Sequence, residues 1–558
     1  MSNSKKQSFL FGAIILVSAN MIVKLIGFIY KIPLYNFMST VGGDGGGNGG
    51  VGMAAVNAAY QIYVWFFSIS TTGLPVAISN MISVANSQKN YKEEKRIFKL
   101  SLIIFIILGT AGTAIMLLGA RGFAGAMKNP DAYYSILVIA PTLFFICITS
   151  AYRGFFQGRQ NMIPTAVSEI IESSGKLGVG LIATVYAINR GYDLPVVAAY
   201  AVSGLTVGVA FGALFMIITK KLIKLEEDNI LEPMQTERMS VRSNKTIAKE
   251  IIKISLPIML SSSFVSLSGL VDTFLMQRRL IDIGYIFEGA ESVAKAAADA
   301  YGNYSTMAIS FFNLPNSLVI PFAVSIIPVI SAAYAQKNME SIRATIESTF
   351  RMVSIIAMPS AFGIAAMSGP ILNLMFDDKD AVARTAPMLS ILAIAIVFVA
   401  LVSVTNSMLQ AQRQENKTII SMALGSAVKL VGSYILIGIP ALGRFGTPIS
   451  TCLCYLTIVM INFYFLSKTT SVIPAVKKTF FKPFIASAVT GLSAVLSYRA
   501  ASIFIYEKIA TLVAIVLAVV IYVVMLFALK TLTKADVLLL PKGTKIYAAL
   551  KKYNLIGG

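Results

Sequence analysis

The first hydrophobic segment of the chain, residues 9–37, reads FLFGAIILVSANMIVKLIGFIYKIPLYNF. It is long enough to cross a bilayer as an α-helix, which needs about 20 predominantly apolar residues. Its only charged residues are Lys24 and Lys31. It lacks the small-residue cleavage site of a secretory signal peptide. The segment therefore predicts a first membrane helix with two lysines in its hydrophobic stretch.

The composition of all 558 residues agrees with this prediction. Hydrophobic residues make up 56% of the chain, charged residues 13%, and the mean hydropathy is +0.75. A soluble domain of this size needs more charge to cover its surface. We therefore predict an all-α integral membrane protein. Its net charge of +21 fits basic cytoplasmic loops and contact with anionic membrane lipid better than it fits nucleic acid.

Hydropathy predicts fourteen transmembrane helices, numbered here as predicted helices one to fourteen. They cover residues 9–37, 53–85, 97–118, 133–155, 164–188, 195–219, 251–276, 303–334, 346–367, 386–410, 417–439, 447–467, 480–499 and 508–530. Several prolines fall inside these helices, where each removes a backbone hydrogen bond and permits a kink: Pro75, Pro141, Pro257, Pro315, Pro321, Pro328 and Pro359. Predicted helix eight contains three of them, Pro315, Pro321 and Pro328, and we expect it to bend most.

Lys and Arg are distributed unevenly between the two sets of loops. With the N-terminus inside, 32 of the 47 lie in inside segments, 11 in outside segments and four within helices. The positive-inside rule then places both termini in the cytoplasm. We expect a multi-pass protein of the cytoplasmic cell membrane.

The two halves of the chain repeat one another. Residues 157–161 (QGRQN) correspond to residues 410–414 (QAQRQ), and the same offset of 253 aligns Lys176 with Lys429. Six helices per half is an even number, so both halves insert the same way up. Transporters with such repeats bind substrate between the halves near the midplane. The predicted organisation around a central cavity is an N-terminal six-helix lobe (1–219), a cytoplasmic inter-lobe loop (220–249), a C-terminal six-helix lobe (250–467), helices thirteen and fourteen (468–530) and a cytoplasmic tail (531–558).

No motif points to an enzyme. The glycine-rich residues 42–52 (GGDGGGNGGVG) are neither preceded by a strand nor followed by Gly-Lys-Ser/Thr, so we interpret them as an external hinge and not as a phosphate loop. The chain has no His, its three Cys lie in hydrophobic runs, and we find no nucleotide-binding or Ser/His/Asp pattern. We expect no cofactor, no metal site and no catalytic residue.

A polar stripe runs along predicted helix one. Asn20, Lys24, Gly27 and Lys31 recur at spacings of four, three and four residues, which places them on one face. A Lys at the centre of a membrane helix costs about 2.5–3.5 kcal/mol. The stripe therefore indicates an anion site facing a cavity. Two alternatives remain: Lys24 forms a structural pair with a carboxylate, and Lys31 extends to the outer interface.

Predicted helix five carries a second stripe. Thr165, Glu169, Glu172 and Lys176 share a face, and Glu172 precedes Lys176 by four residues, the favourable order for an ion pair. The acids indicate either a self-satisfied pair or a site for a coupling cation or gate. The repeat partner, Lys429, has no acid on its helix. We therefore expect Lys429 to lack a local partner and to be the stronger candidate for anion binding.

Two further charged residues have two interpretations each. Asp272 lies about as far into predicted helix seven as Lys31 lies into its counterpart, so a bridge between them would close an outer gate. Alternatively, Asp272 pairs with Arg278 or Arg279. Arg153 ends predicted helix four, where it either anchors the helix at the inner interface or contacts substrate.

Four segments resemble the polysaccharide-transport family that includes stage V sporulation protein B. The most specific is Tyr152–Glu172 (YRGFFQGRQNMIPTAVSEIIE), and the others are Val23–Pro33, Gly73–Ser79 and Asp272–Leu280. The resemblance extends from predicted helix one to at least predicted helix twelve. It places the chain near the lipid II flippases of the superfamily of multidrug, oligosaccharidyl-lipid and polysaccharide exporters.

This resemblance implies two six-helix lobes around a central cavity, two extra helices and alternating access. It also implies a polyprenyl-pyrophosphate-linked sugar as cargo. In the flippase branch, basic residues of helix one in a basic-x-x-Gly context line the cavity, and Lys24-Leu-Ile-Gly27 followed by Lys31 is similar to that pattern, with Lys in place of Arg. Lys supplies a point charge where Arg supplies a two-pronged donor.

We therefore expect a flippase for a lipid II-like precursor or a related polysaccharide unit, driven by the membrane potential or by a coupling cation such as H⁺ or Na⁺. The residues expected to bind substrate are Asn20, Lys24, Lys31, Arg153, Lys176 and Lys429, and those expected to act in coupling or gating are Glu169, Glu172 and Asp272. Two alternatives are a cation-coupled multidrug exporter, which requires a net negative cavity, and a non-transporting membrane scaffold for cell-envelope enzymes.

Overall fold

The computed structural model of the protein contains two compact units. Unit 1 comprises residues 1–281 and 286–302, and unit 2 comprises residues 282–285 and 303–558. The structure describes residues 9–41, 49–231, 242–325, 330–331, 336, 339–412, 414–470, 477–533 and 536. Within these ranges the chain forms helices joined by turns and short connections, without a β-strand. The predicted tail beyond residue 536 and the basic residues Lys5 and Lys6 lie outside the described residues.

The described part of unit 1 forms ten helices of 8 to 39 residues. They are α1 (Phe9–Ser39), α2 (Gly49–Thr71), α3 (Gly73–Ser87), α4 (Tyr91–Ala126), α5 (Ala132–Ile139), α6 (Thr142–Gly158), α7 (Ile163–Asn189), α8 (Leu194–Leu231), α9 (Asn244–Asp282) and α10 (Val293–Asn303).

The described part of unit 2 begins with a π-helical turn, Tyr304–Ala308, that leads into α11. The helices that follow are α11 (Ile309–Ser325), α12 (Met339–Ala366), α13 (Ser368–Met375), α14 (Lys379–Ala411), α15 (Glu415–Ile437), α16 (Gly446–Thr470), α17 (Lys482–Ala501) and α18 (Glu507–Ala528).

Among the described residues, twelve helices are long and apolar enough to cross a membrane. Predicted helices five and eight are not among them. The first is α7, which carries Glu169, Glu172 and Lys176 along its middle. The second is divided into α10, the π turn and α11. The all-α, multi-span architecture is therefore confirmed, and the number fourteen stays a prediction.

Proline and glycine divide two of the predicted spans. Predicted helix two is broken at Thr72: α2 ends at Thr71, and α3 begins with Gly73 and contains Pro75 in its first turn. Predicted helix four is broken before Pro141, between α5 and α6. Predicted helix eight contains a π-helical turn at Tyr304–Ala308, ahead of its prolines, and the bend expected there stays a prediction. The side chains of Pro321 and Pro328 are not described.

Two predicted loops are shorter than expected. Residues 49–52 of the glycine-rich hinge form the buried first turn of α2. This turn lies so close to α1 that a Cβ on Gly49 would press against Tyr35, and one on Gly52 would press against Met38. Residues 42–48 of that hinge lie outside the described residues. The predicted inter-lobe loop is helical at both ends, since α8 continues to Leu231 and α9 begins at Asn244.

Helix α9, the first helix of the predicted C-terminal lobe, packs within unit 1. Ser266 on α9 lies 2.5 Å from the hydroxyl of Ser68 on α2, and Ser262 lies 2.9 Å from that of Thr72. A Cβ on Gly73 would collide with the carbonyl oxygen of Ser255 on α9. Glycine therefore allows α3 to start directly against this helix, while the predicted boundary of the six-helix lobes stays a prediction.

Each unit has its own core of aromatic and aliphatic side chains. In unit 1, the ring of Phe98 meets those of Tyr152 and Phe155 edge to face, with centroids 5.1 Å apart in both pairs. In unit 2, Phe350 stacks on Phe463 at 5.1 Å. Helices α17 and α18 pack against each other, and α17 packs on α12. Burial of large aromatic surfaces is a main source of packing energy in such cores.

Candidate functional site

The middle of α1 supplies the first charged group of the site. Lys24 is the central residue of this helix, with fifteen residues on either side between Phe9 and Ser39. Its side chain is exposed, and that of Asn20 donates to the carbonyl oxygen of Leu16 at 3.1 Å. A Cβ added to Gly27 would meet no atom within 4 Å, so this face of α1 borders open space.

The middle of α7 supplies the second group, and α8 holds α7 in place. Lys176 is the central residue of α7, which spans Ile163–Asn189. Glycines at the contact allow the two backbones to touch: a Cβ on Gly208 would lie 2.5 Å from the carbonyl oxygen of Glu172, and one on Gly204 would collide with the backbone of Gly180. Small residues at such spacing are typical of close helix contacts in membranes.

This glycine seam was missed in the sequence analysis. Its signal is the spacing of Gly204, Gly208 and Gly212, four residues apart on α8. A Cβ on Gly212 would lie 2.9 Å from Cγ and Oε1 of Glu172. The last glycine therefore leaves room for a carboxylate, and the seam fixes the position of Glu172 as well as that of the helix.

Glu172 forms an ion pair with Arg153 of α6. Nη2 of Arg153 lies 2.7 Å from Oε1 of Glu172, and the two side chains are 11% and 13% exposed. The guanidinium also donates to Oγ of Ser168 from Nε at 3.1 Å and from Nη2 at 3.0 Å. The pair predicted between Glu172 and Lys176 is therefore wrong, because the guanidinium on the neighbouring helix reaches the carboxylate.

Lys176 instead lies against two tyrosine rings. Its Nζ is 4.6 Å from the ring centroid of Tyr60 on α2 and 5.3 Å from that of Tyr30 on α1. The hydroxyl of Tyr30 donates to the carbonyl oxygen of Ala201 at 2.9 Å, which fixes that ring. An ammonium over an aromatic face is stabilised by the ring quadrupole and keeps its N–H donors for other partners.

These side chains border one cavity of about 430 Å³, within the size range of small-molecule sites. It lies inside unit 1. The residues that line it are Asn20, Val23, Lys24, Ile26, Gly27, Tyr60, Tyr63, Val64, Phe67, Ser68, Ile146, Arg153, Glu169, Glu172, Ser173, Lys176, Leu205 and Val209. Six of the nine predicted site residues are thus brought together from α1, α6 and α7.

The charges around the cavity are three cations and two acids. Arg153 and Glu172 neutralise each other, which leaves Lys24, Lys176 and Glu169. Oε2 of Glu169 is buried and makes no hydrogen bond to another described residue. The remaining balance is one positive charge, so the cavity favours an anion.

An aromatic wall of α2 was also missed in the sequence analysis. Tyr60, Tyr63 and Phe67 recur at spacings of three and four residues, which places them on one helix face. The ring centroids of Tyr60 and Tyr63 are 6.0 Å apart, and those of Tyr63 and Phe67 are 5.8 Å apart. All three line the cavity. The spacing was visible in the sequence, but aromatic residues in apolar helices are usually core residues.

Lys31 and Asp272 lie in unit 1 but outside the lining of the main cavity. Lys31 borders a smaller pocket of about 30 Å³, together with Tyr30, Asn57 and Lys176. Asp272 on α9 is 6% exposed. The next residue, Thr273, lies 2.8 Å from the hydroxyl of Tyr301 on α10. The predicted bridge between Lys31 and Asp272 stays a prediction.

Lys429 lies in unit 2 and is fully buried. Its Nζ donates to the carbonyl oxygen of Thr447 and to Oγ of Ser450, both at 3.3 Å, and to Oγ1 of Thr451. The expectation that it lacks a local partner is therefore wrong. Sequence reasoning sought an acid on its own helix, whereas α16 offers neutral oxygen acceptors. The role of Lys429 in anion binding stays a prediction.

Comparison with protein families identifies two matches. A family model described as polysaccharide biosynthesis protein matches residues 9–334, and one described as MatE matches residues 290–435. In Bacillus subtilis (strain 168), the chain is 24% identical to Stage V sporulation protein B over 453 residues, which cover 80% of this chain and 81% of that protein. It is also 24% identical to Lipid II flippase MurJ over 471 residues, covering 82% of each.

Solved structures share the fold. The TM-score is 0.63 with Lipid II flippase MurJ in an inward closed conformation, at 14% identity, covering 92% of this chain and 98% of that chain. It is 0.64 with a multidrug resistance MATE family transporter of the MOP superfamily in an inward-facing conformation, at 17% identity, covering 84% of this chain and 99% of that chain. These likenesses confirm the transporter-like, all-helical fold.

Proposed function

Because this chain belongs to the polysaccharide biosynthesis protein family, we propose that it is a flippase that moves a polyprenyl-pyrophosphate-linked sugar across the cytoplasmic membrane by alternating access. The cargo is a lipid II-like precursor or a related polysaccharide unit. The relative named Lipid II flippase MurJ supports this assignment by its name, and both relatives named above are covered over more than four-fifths of their length. The proposed activity is transport and not catalysis.

The observation that carries the proposal is the placement of two lysines. Lys24 and Lys176 occupy the centres of α1 and α7, and both line the cavity of about 430 Å³. Charged side chains at the middle of membrane helices are costly and typically mark a substrate or ion pathway. A diphosphate accepts hydrogen bonds from ammonium groups and compensates their charge. The pyrophosphate is therefore the part of the cargo that these residues recognise.

The remaining predicted residues take supporting roles in this proposal. Asn20 offers a polar contact beside Lys24, and Arg153 approaches the diphosphate while it holds Glu172. Glu169 is the acid whose buried Oε2 makes no hydrogen bond to another described residue, so it is the candidate for a coupling cation or gate. The outer gate is formed by Lys31 and Asp272, and Lys429 supplies the equivalent cation of the second half.

The drive is a cation gradient, of H⁺ or Na⁺, or the membrane potential, which contributes about 2.3 kcal/mol per charge per 100 mV. Both termini lie in the cytoplasm, and the basic loops contact anionic lipid headgroups there. Both points follow from the distribution of Lys and Arg along the chain.

The test is flipping of a labelled polyprenyl-pyrophosphate-linked sugar in vesicles that contain the purified full-length protein. Lys24→Ala, Lys176→Ala and Lys429→Ala should each lower the rate by about tenfold or more, because a hydrogen bond to a charged group contributes about 1.5–3 kcal/mol. Lys245→Ala is the matched control, since Lys245 is exposed at the start of α9.

Equal rates for the wild type and the three lysine variants would contradict the anion site. The multidrug alternative predicts ion-driven export of cationic dyes that the lysine substitutions do not impair, and the positive cavity argues against it. The scaffold alternative predicts no flipping by the wild-type protein.

A further inference from the structure

Along the wall of the cavity, the ammonium group of a lysine is followed by three aromatic rings of α2. Nζ of Lys176 lies 4.6 Å from the ring of Tyr60. The next ring, Tyr63, follows at 6.0 Å from Tyr60, and Phe67 follows at 5.8 Å from Tyr63. A charged end is thus followed by an aromatic path along one helix face. A ligand with its anionic group at Lys176 extends its next group along this path.

The hydroxyl groups on this path are free for a ligand. Within the described part of the chain, neither Tyr60 nor Tyr63 uses its hydroxyl in a hydrogen bond to another residue. The amide of Asn20 and the hydroxyl of Ser173 line the same cavity. The path therefore combines an apolar ring, Phe67, with several neutral donors and acceptors.

That combination matches a pyranose ring better than it matches a lipid tail or a peptide. A sugar presents C–H groups on one face, which pack on the negative face of an aromatic ring, and hydroxyls at its edge, which require hydrogen-bond partners. A lipid tail would leave the tyrosine hydroxyls without partners, at a cost in binding free energy.

We propose that Tyr63 and Phe67 form a subsite for the first sugar after the pyrophosphate, with the sugar ring against Phe67 and its hydroxyls toward Tyr63. This subsite rests on the proposed function, because it assumes that the diphosphate lies at Lys24 and Lys176. It adds that the protein recognises the pyranose itself by direct contact, in addition to recognising the charge of the pyrophosphate.

Binding measurements with three probes test the subsite on the full-length protein in detergent or nanodiscs. The probes are a short polyprenyl pyrophosphate without sugar, the same carrier with one N-acetylhexosamine, and the same carrier with a simple alkyl group in place of the sugar. The wild type should bind the sugar probe more tightly than the other two. Phe67→Leu should reduce that gain by about three- to tenfold, since one aromatic contact is worth about 0.5–1.5 kcal/mol.

Three further variants distinguish the contribution of the Tyr63 hydroxyl from those of the aromatic rings, the helix and the charge of Lys176. Tyr63→Phe keeps the ring, and should lose part of the sugar gain while it leaves the sugarless probe unchanged. Phe66→Leu is the control, because Phe66 lies on the same helix but does not line the cavity. Lys176→Gln should weaken all three pyrophosphate probes by a similar factor.

The outcomes distinguish the subsite from the function on which it rests. The subsite is overturned if the wild type gains nothing from the sugar, or if Phe67→Leu weakens the sugarless and sugar probes equally. It is also overturned if the alkyl probe binds as tightly as the sugar probe. If the wild type binds no pyrophosphate probe, or Lys24→Gln and Lys176→Gln change nothing, the proposed function fails and the subsite fails with it.

Discussion

Arg153 and Glu172 join α6 to α7 at the wall of the cavity, with 2.7 Å between Nη2 and Oε1. Ser168 accepts two further hydrogen bonds from the same guanidinium. The pair therefore removes one positive charge from the cavity, and it leaves the surplus charge to Lys24 and Lys176. Arg153 is also the reason why Lys176 contacts tyrosine rings instead of the carboxylate on its own helix.

Removal of one member of this pair should destabilise the protein more than removal of both. Arg153→Met leaves a largely buried carboxylate without its partner, at an expected cost of about 3 kcal/mol. In the double variant Arg153→Met, Glu172→Met, neither charge of the pair remains to be solvated, so stability should return toward that of the wild type. Thermal unfolding of the purified variants in detergent measures both effects. Additive losses in the double variant would contradict the pairing.

Substitution of a glycine by alanine should destabilise the protein at Gly208, where α8 touches α7, but not at Gly178 on α7. Gly208→Ala places a methyl group 2.5 Å from the carbonyl oxygen of Glu172, so it should destabilise the protein by about 1–3 kcal/mol. Gly178→Ala on α7 meets no atom within 4 Å and should stabilise it slightly, by up to about 1 kcal/mol. Thermal unfolding of the two single variants measures the difference, and equal midpoints would contradict the close contact.

Much of this architecture could be predicted from the sequence, because hydropathy and helix length are local properties. The segments around Lys24 and Lys176 were predicted as helices with these lysines near their centres, and the structure confirms the helices. Partners could not be predicted in the same way. Glu172 has Lys176 at a favourable spacing, yet Arg153 on another helix binds it. That choice depends on the approach of α6 to α7, which the sequence of one helix does not contain.

The buried surroundings of Lys429 account for another difference between prediction and structure. Lys429 was expected to lack a partner because its helix has no acid, but carbonyl and hydroxyl oxygens at the start of α16 solvate its ammonium. A list of charged residues omits such neutral acceptors. The breaks before Gly73 and at Pro141 agree with the kinks that Pro75 and Pro141 were expected to permit, whereas hydropathy, which averages over a window, does not detect a single disrupted turn.

A second buried ion pair should stabilise the C-terminal side of unit 2. Asp536 accepts hydrogen bonds from Nε and Nη2 of Arg351 on α12 at 2.6 and 3.0 Å, and it is fully buried. Asp536→Ala leaves the guanidinium buried without its carboxylate and should cost about 3–5 kcal/mol. Asp377→Ala is the control, because its pair with Lys508 is exposed. Its effect should stay within about 0.5 kcal/mol.

The comparison requires both variants in one unfolding assay. A loss for Asp377→Ala as large as that for Asp536→Ala would show that burial does not control the strength of these pairs.

Asp131, in the turn before α5, should make stability fall as pH rises. Burial raises the pKa of its carboxyl, and nearby Lys295 opposes this only in part. A carboxyl whose pKa is higher in the folded than in the unfolded protein favours folding while it is protonated. That contribution is lost as pH rises from the ordinary Asp value of about 3.9 through the folded pKa. Asp131→Asn should therefore raise the unfolding midpoint at neutral pH, and the gain should vanish in acid.

Thermal unfolding of wild type and Asp131→Asn across this pH range measures the effect. The opposite trend, a variant less stable at neutral pH than in acid relative to wild type, would show that Lys295 outweighs burial.

Gly27 offers a way to fill the cavity without disturbing the packing of the helices. It lines the cavity, and a Cβ added there meets no atom within 4 Å. Gly27→Leu should therefore fold normally and leave less room for the diphosphate between Lys24 and Lys176. Flipping should fall by about tenfold or more, since a loss of 1.4 kcal/mol in binding is already tenfold. The control is Gly122→Leu on α4, because an added Cβ at Gly122 also meets no atom within 4 Å and Gly122 does not line the cavity. Flipping rates in vesicles and unfolding midpoints together separate the two effects. If Gly27→Leu folds and transports as the wild type does, substrate does not pass between these two lysines.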